Sequence, residues 1–449
     1  MRTSFFLLAM IASLGSAFGQ SMPLSLDQAI EYAQTHNAQV RVQSLERKVA
    51  EKVLLQNIAL GLPSVQMGGN YTDNIALPAQ FFDINQDGVI DKLQFGTRYN
   101  AVGNLAVSQL VFDGSYVVAV LATQVLRDMA DGNYEKALIT TREQVAQAYH
   151  LRVILGENHT ALQATLDHTS LTLKNMQAMK AEGFMASEDV DQLAIVYHNV
   201  EANLANLENQ MNLSEQLLKL QCGLSPEVVL TLSTPLEDLL VFANGGQSLL
   251  DSPFYVQKHI DYRQLEINRK GQYLNLQNEK MQFLPKLYAG YSFNRQYVSQ
   301  DANVFNPDGT SANNTNFQSW NLSAQVPVFS SGRKIARVQE QKIKLQELDI
   351  LLDNTANALA LQHYQAQSEY ANALKVYRIQ TQNVALAKRV MSNTEIRLTE
   401  GMASSMDYAQ ASAQYQQSVA AMLQAANNAL NKRVALEKSL GHYNLNNLD

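Results

Sequence analysis

The sequence predicts a mixed α and β membrane protein. Each chain should give four strands to a β-barrel pooled between chains, continued by a long periplasmic α-helical barrel, the whole built on an internal duplication. Three observations predict this. Nine prolines leave two long gaps, from Ala79 to Ser225 and beyond Pro327. Nine-residue and longer stretches recur in the same order in the two halves of the chain. Two pairs of short segments alternate apolar with polar or small residues, the period of a strand.

The chain opens with Arg2, an apolar run from Phe5 to Leu14 and small residues ending in Ala17-Phe18-Gly19. This is the pattern of a signal peptide over 1–19, too short for a membrane span, so the mature chain is expected to begin near Gln20. No cysteine lies near that cleavage site, so no lipid anchor is expected there. The only cysteine, Cys222, has no intrachain partner for a disulfide. The net charge of −7 argues against nucleic acid as a partner. No later apolar stretch is long enough for a transmembrane helix, which excludes a helical membrane protein and leaves a β-barrel open.

The proline-free regions are dense in Ala, Leu, Gln, Asn, Glu and Lys, mostly good helix formers. They predict long helices over 115–180 and 334–397, each roughly 100 Å at 1.5 Å per residue. Helices of that length suit coiled-coil or α-barrel packing.

The repeat fixes the organisation. "EGFMASEDV" at 182–190 returns as "EGMASSMDY" at 400–408, with Glu182, Gly183 and Asp189 in register with Glu400, Gly401 and Asp407. "NLAVSQLVFDG" at 104–114 returns as "NLSAQVPVFSSG" at 321–332, and "LPSVQMGGNY" at 62–71 pairs with "LPKLYAGYSF" at 284–293. The first repeat is expected over 20–223 as one helical segment, a β-hairpin at 62–112, the long helix and a helix at 186–222. The second is expected over 255–441 as a helix, a hairpin at 284–329, the long helix and a helix at 404–440. Residues 224–254, with Pro226, Pro235 and Pro253, read as a linker, and 442–449 as a tail.

Four strands cannot close a barrel in lipid, because open edges leave backbone groups unsatisfied. Eight-stranded barrels fill with their own side chains, so a conducting pore favours three chains or more. Tyr71, Tyr99, Tyr288, Tyr291 and Trp320 lie on these strands, and such residues suit membrane–water interfaces.

Together the duplicated G-x5-D turns, the Leu-Pro strand starts and the Val-Phe exits resemble the TolC-like outer-membrane efflux proteins. The likeness runs from "LSLDQAIEYAQTHNAQV" to "LEKSLGHY". It implies a homotrimer with a twelve-stranded barrel in outer-membrane lipid and a helical tunnel reaching into the periplasm. It also implies docking with a periplasmic adaptor (membrane fusion protein) and an inner-membrane efflux pump or ABC exporter. By the same resemblance, the Gly183 and Gly401 turns form the periplasmic tip and contact the adaptor, while Asp189 and Asp407 ring the constriction. Ala403, Leu398 and Gln410 stand where some members carry Arg, Tyr and a further Asp, so the tip gate is held differently here. A first-turn carboxylate favourable to the helix dipole is the structural alternative for both aspartates.

No enzyme and no cofactor are expected. The eight histidines form no H-x-x-x-H pair, and neither G-x-S-x-G nor a phosphate-cradling loop is present. One stretch invites a metal reading: "DINQDGVID" at 83–91 spaces Asp83, Asn85 and Asp87 like a calcium loop. Gln94 stands where the bidentate Glu would be, so a solvated turn between two strands is the expectation. A soluble periplasmic helical-hairpin adaptor is the alternative overall, but it gives no reason for duplicated strands.

Overall fold

The computed structural model describes residues 22–82, 88, 90–241, 247–302, 304, 305 and 313–441. The signal segment, the tail and most of "DINQDGVID" lie outside the described residues. In chain order the elements are β1 (Met22–Leu24), α1 (Leu26–His36), α2 (Ala38–Ala59), β2 (Ser64–Asp73), β3 (Ala79–Phe82), β4 (Asp91–Gln94), β5 (Tyr99–Phe112), α3 (Gly114–Ala181) and α4 (Ser187–Cys222). Then follow β6 (Leu230–Leu232), α5 (Leu236–Leu239), α6 (Gln247–Leu250), a 3-10 turn (Val256–Lys258), α7 (Ile260–Met281), β7 (Lys286–Ser299), β8 (Asn313–Gln325), α8 (Arg333–Thr399) and α9 (Ser405–Leu440).

The chain forms two compact units that cut across the sequence copies. One takes the residues up to Glu46, Asp131–Gln264 and everything from Asp353; the other takes Arg47–Ala130 and Leu265–Leu352. Each unit thus draws on both halves of the duplication.

The helical unit has a continuous apolar core. Ala29, Ile30 and Ala33 of α1 meet Val145, Tyr149 and Ile154 of α3, Leu218 and Cys222 of α4, and Val419, Leu423 and Leu430 of α9. Burial pushes the Cys222 thiol up to about 11, so it packs as a small apolar group. The expected single first helix is broken at Asn37. That residue leaves helical geometry (φ −58°, ψ 134°), and its carbonyl Oδ1 accepts from Gln39 N at 2.8 Å while its Nδ2 donates to Gln221 O at 2.8 Å. One amide thus caps the start of α2 and the end of α4. The supposed linker also carries structure: β6 pairs in parallel with β1, Leu24 opposite Leu232. Tyr149 fastens the pair, donating to Leu24 O at 3.0 Å and accepting from Thr234 N at 3.1 Å.

The second unit carries an antiparallel sheet in the order β2-β5-β7-β8. The polar stretch inside the first hairpin, expected as a plain loop, holds a small hairpin of its own, with Phe81 opposite Lys92.

Candidate functional site

Two places concentrate the residues singled out by the sequence, one in each unit. The first is the sheet. A strand points successive side chains to opposite faces, so register sorts the residues. Val65 faces Val107, Val107 faces Tyr291, and Tyr291 faces Trp320. Met67, Leu105 and Phe293 fall on the same side, as do Tyr71 and Tyr99. This apolar face is uncovered: Met67 is 87%, Trp320 81% and Leu322 75% exposed. Tyr291 and Trp320 meet with ring centroids 4.8 Å apart, and Tyr71 and Tyr99 at 6.4 Å. Tyr288 does not join them. Its register opposite Ser323 puts it on the other face, because an even-numbered residue cannot share a side with Tyr291.

That other face carries most of the amides and hydroxyls of the strands, beside Val102, Val298 and Phe317, and four pairs of them bond across the strands. Asn104 donates to Asn294 at 2.7 Å and Gln296 to Asn100 at 3.2 Å. The Ser64 and Ser108 hydroxyls lie 2.6 Å apart, and those of Ser292 and Ser319 2.9 Å apart. β2 and β8 are the two ends of the sheet order, so each leaves one edge of its ladder without a partner strand among the described residues. An amphipathic sheet with no covering layer and long open edges is a liability in water.

The second place is the pair of helical turns, α3–α4 and α8–α9. Both end their first helix in the same way. Gly183 (φ 81°) donates to Lys180 O at 3.0 Å and Phe184 to Met179 O at 2.9 Å. Gly401 (φ 72°) donates to Leu398 O at 3.0 Å and Met402 to Arg397 O at 2.7 Å. This is the Schellman arrangement, which needs a left-handed residue and favours glycine.

Beyond the glycines the turns diverge. Ser404 caps α9: its Oγ accepts from Asp407 N at 3.1 Å, and its N donates to Asp407 Oδ2 at 2.9 Å. These hydrogen bonds hold the Asp407 carboxyl below the usual carboxylate range. In α4 the cap position is Ala186, without a side-chain bond. Asp189 instead accepts from the hydroxyl of Ser405, on the opposite turn. Between the turns lies a small core of Met176, Val190, Leu193, Leu398 and Tyr408, with Ala403 against it. Leu398 is 2% and Tyr408 1% exposed. Gln410 lies exposed on α9. The structure therefore joins Asp189 to the second turn, keeps Asp407 within its own helix end, and leaves Gln410 apart from both. Ser404 and Ser405 escaped the sequence reading, although S-x-x-D before a helical run signals a cap.

A groove of about 1150 Å³ runs along α3, α4 and α9 within the helical unit. Asn199, Asn203, Asn206, Gln210 and Gln416 line it beside Ala413, and its lining contains no charged residue. Among the histidines, His150 is buried against Asn431, and desolvation holds it neutral with its pKa lowered to about 4. Among the described residues, no cluster could hold a metal ion and no helix is long and apolar enough to cross a membrane.

Comparison with known proteins finds a likeness to outer-membrane channels, by a family model over part of the chain and by fold over most of it. Residues 263–442 match the family model of outer membrane efflux proteins. The chain is similar in fold to the Vibrio cholerae outer membrane protein VceC at 17% identity and a TM-score of 0.69, covering 93% of this chain and 96% of that one. It is similar to the open-state MtrE channel of Neisseria gonorrhoeae at 15% identity and 0.70, covering 93% and 88%. The CmeC channel of Campylobacter jejuni aligns at 15% identity and 0.69, covering 93% and 85%. No curated protein matches the sequence. The resemblance to TolC-like outer-membrane efflux proteins thus extends from motifs to fold.

Proposed function

We propose that the chain is the outer-membrane exit duct of a tripartite efflux or type I secretion system, conducting cargo passively to the exterior. The observation that carries this reading is the four-stranded sheet, apolar on one face, hydrogen-bonding on the other and, among the described residues, uncovered and open at both edges. Pooling strands from three copies removes the edges and gives the apolar face to lipid. The apolar face of the sheet supports an outer-membrane location. The partners are two further copies of the chain, outer-membrane lipid, a periplasmic adaptor and an inner-membrane pump or ABC exporter that supplies the energy. A soluble helical-hairpin adaptor is disfavoured, because nothing in such a protein would cover Met67, Trp320 and Leu322.

In this reading Tyr71, Tyr99, Tyr291 and Trp320 meet the membrane interfaces. Gly183 and Gly401 mark the tip that contacts the adaptor, and Asp189, Asp407 and Gln410 belong to its constriction. Carboxylates repeated around a narrow pore favour cations. Asp189→Asn and Asp407→Asn should each lower the cation preference of single channels in a planar bilayer; unchanged selectivity in both removes the gate assignment. For the duct itself, an arginine in place of Met67 or Leu322 should cost about 2–4 kcal/mol if the site lies near the bilayer midplane. Outer-membrane yield of the trimer reads this, and normal yield of both variants rules out lipid on that face.

A further inference from the structure

The hydrogen-bonding face of the sheet says more about cargo than the tips do. Only three residues of the four long strands are charged: Asp73, Lys286 and Arg295. Asp73 and Arg295 lie on the apolar side, with Arg295 directly opposite Gly103 and Asn316. Lys286 is the first residue of β7, bonded to Asp113 at 2.8 Å. Every other residue of the polar face is neutral, and four pairs of its amides and hydroxyls bond across the strands, Asn104–Asn294 and Ser292–Ser319 among them, beside Val102, Val298 and Phe317.

We infer that this face is the wall of the exit pore and that it is a charge-free hydrogen-bonding surface, suited to hydrophilic cargo rich in hydroxyl and amide groups, with no demand on its net charge. The inference rests on the channel reading above. Each amide offers both donors and acceptors, and one cross-strand bond leaves the remainder for water or cargo. Exchange of such bonds with water is nearly balanced, so cargo is hydrated along the wall without being held. With its one charge, Lys286, paired to Asp113, the face sets up little long-range field to exclude an anion or a cation. The groove in the helical unit, lined by asparagine, glutamine, alanine and the aliphatic Leu162, Ile195, Val196, Val200 and Leu207, is likewise without charge. Two separate surfaces of one acidic chain are thus kept neutral.

The test uses the full-length trimer with single cysteines on either face, the buried Cys222 serving as the unreactive background. Asn104→Cys and Ser319→Cys sit on the polar face, Leu105→Cys and Leu322→Cys on the apolar one. Each is treated, in proteoliposomes, with membrane-impermeant thiosulfonates carrying a sulfonate or an ammonium group. The polar-face cysteines should label fully and the apolar-face ones at least tenfold more slowly. In planar bilayers the two reagents on Asn104→Cys should move the reversal potential under a salt gradient in opposite directions. The permeability ratio should change about twofold or more, since no neighbouring wall charge masks the new one. Faster labelling of the apolar-face cysteines overturns the assignment of the wall. Full labelling with no shift in selectivity overturns its neutrality. An unmodified trimer that conducts nothing, even with Asp189→Asn and Asp407→Asn combined, counts against the channel reading itself.

Discussion

The two helical turns began as one motif and now hold themselves by different means. The second is self-contained: Ser404 and Asp407 satisfy each other across the first turn of α9. The first lacks that device, because Ala186 stands at the cap, and its carboxylate is lent to Ser405 of the other turn. The apolar filling is unequal too, Tyr408 matching Val190 at the same repeat position. Duplication has thus given one turn that caps itself and one that bonds to its neighbour. A change in the second turn should therefore disturb the first more than the reverse.

The largest break in that comparison is Tyr408→Ala. Emptying a fully buried aromatic site costs about 3–5 kcal/mol, against about 2 for Val190→Ala. Hydrogen exchange at both turns measures it, and equal effects of the two variants would contradict the asymmetry. Ser405→Ala comes next, at about 1–2 kcal/mol, because it leaves the Asp189 carboxylate without its cross-turn donor. Protection should fall at α4's first turn while the Ser404 cap persists. Ser404→Ala should cost α9 about 1 kcal/mol, and Ala186→Ser should give α4 up to about 1 in return. If Ala186→Ser also frees Ser405 by drawing Asp189 back to its own helix, the two turns should loosen from each other.

The smallest effect is acid sensitivity. The Asp407 carboxyl titrates lower folded than unfolded, so the unfolded end binds more protons in the interval between, and stability rises with pH there. Its stabilisation is full above the ordinary carboxylate range and fades as pH falls through the lowered value. Exchange at Ser404–Tyr408 should rise in that acid window, and Ser404→Ala should flatten the response.

The fold class was legible because strand alternation and proline-free runs are strong periodic signals. Asn37 was not: a single amide inside a helix-forming run breaks it only because Gln221 offers a carbonyl from a distant helix end. The β1–β6 pair is hidden for another reason, three residues each giving too little pattern to read. Composition groups Tyr288 with the other aromatic residues, whereas parity decides its place. At the turns the glycines and aspartates could be aligned, but the partner of Asp189 depends on a contact between copies that no local spacing encodes.

The central claim, that this sheet is one third of a membrane barrel, is tested most directly by the mass of the native protein extracted from cell envelopes in mild detergent. The account predicts recovery from the outer-membrane fraction as three chains, separating only on heating in denaturing detergent. Recovery from the periplasm as a soluble single chain would contradict it.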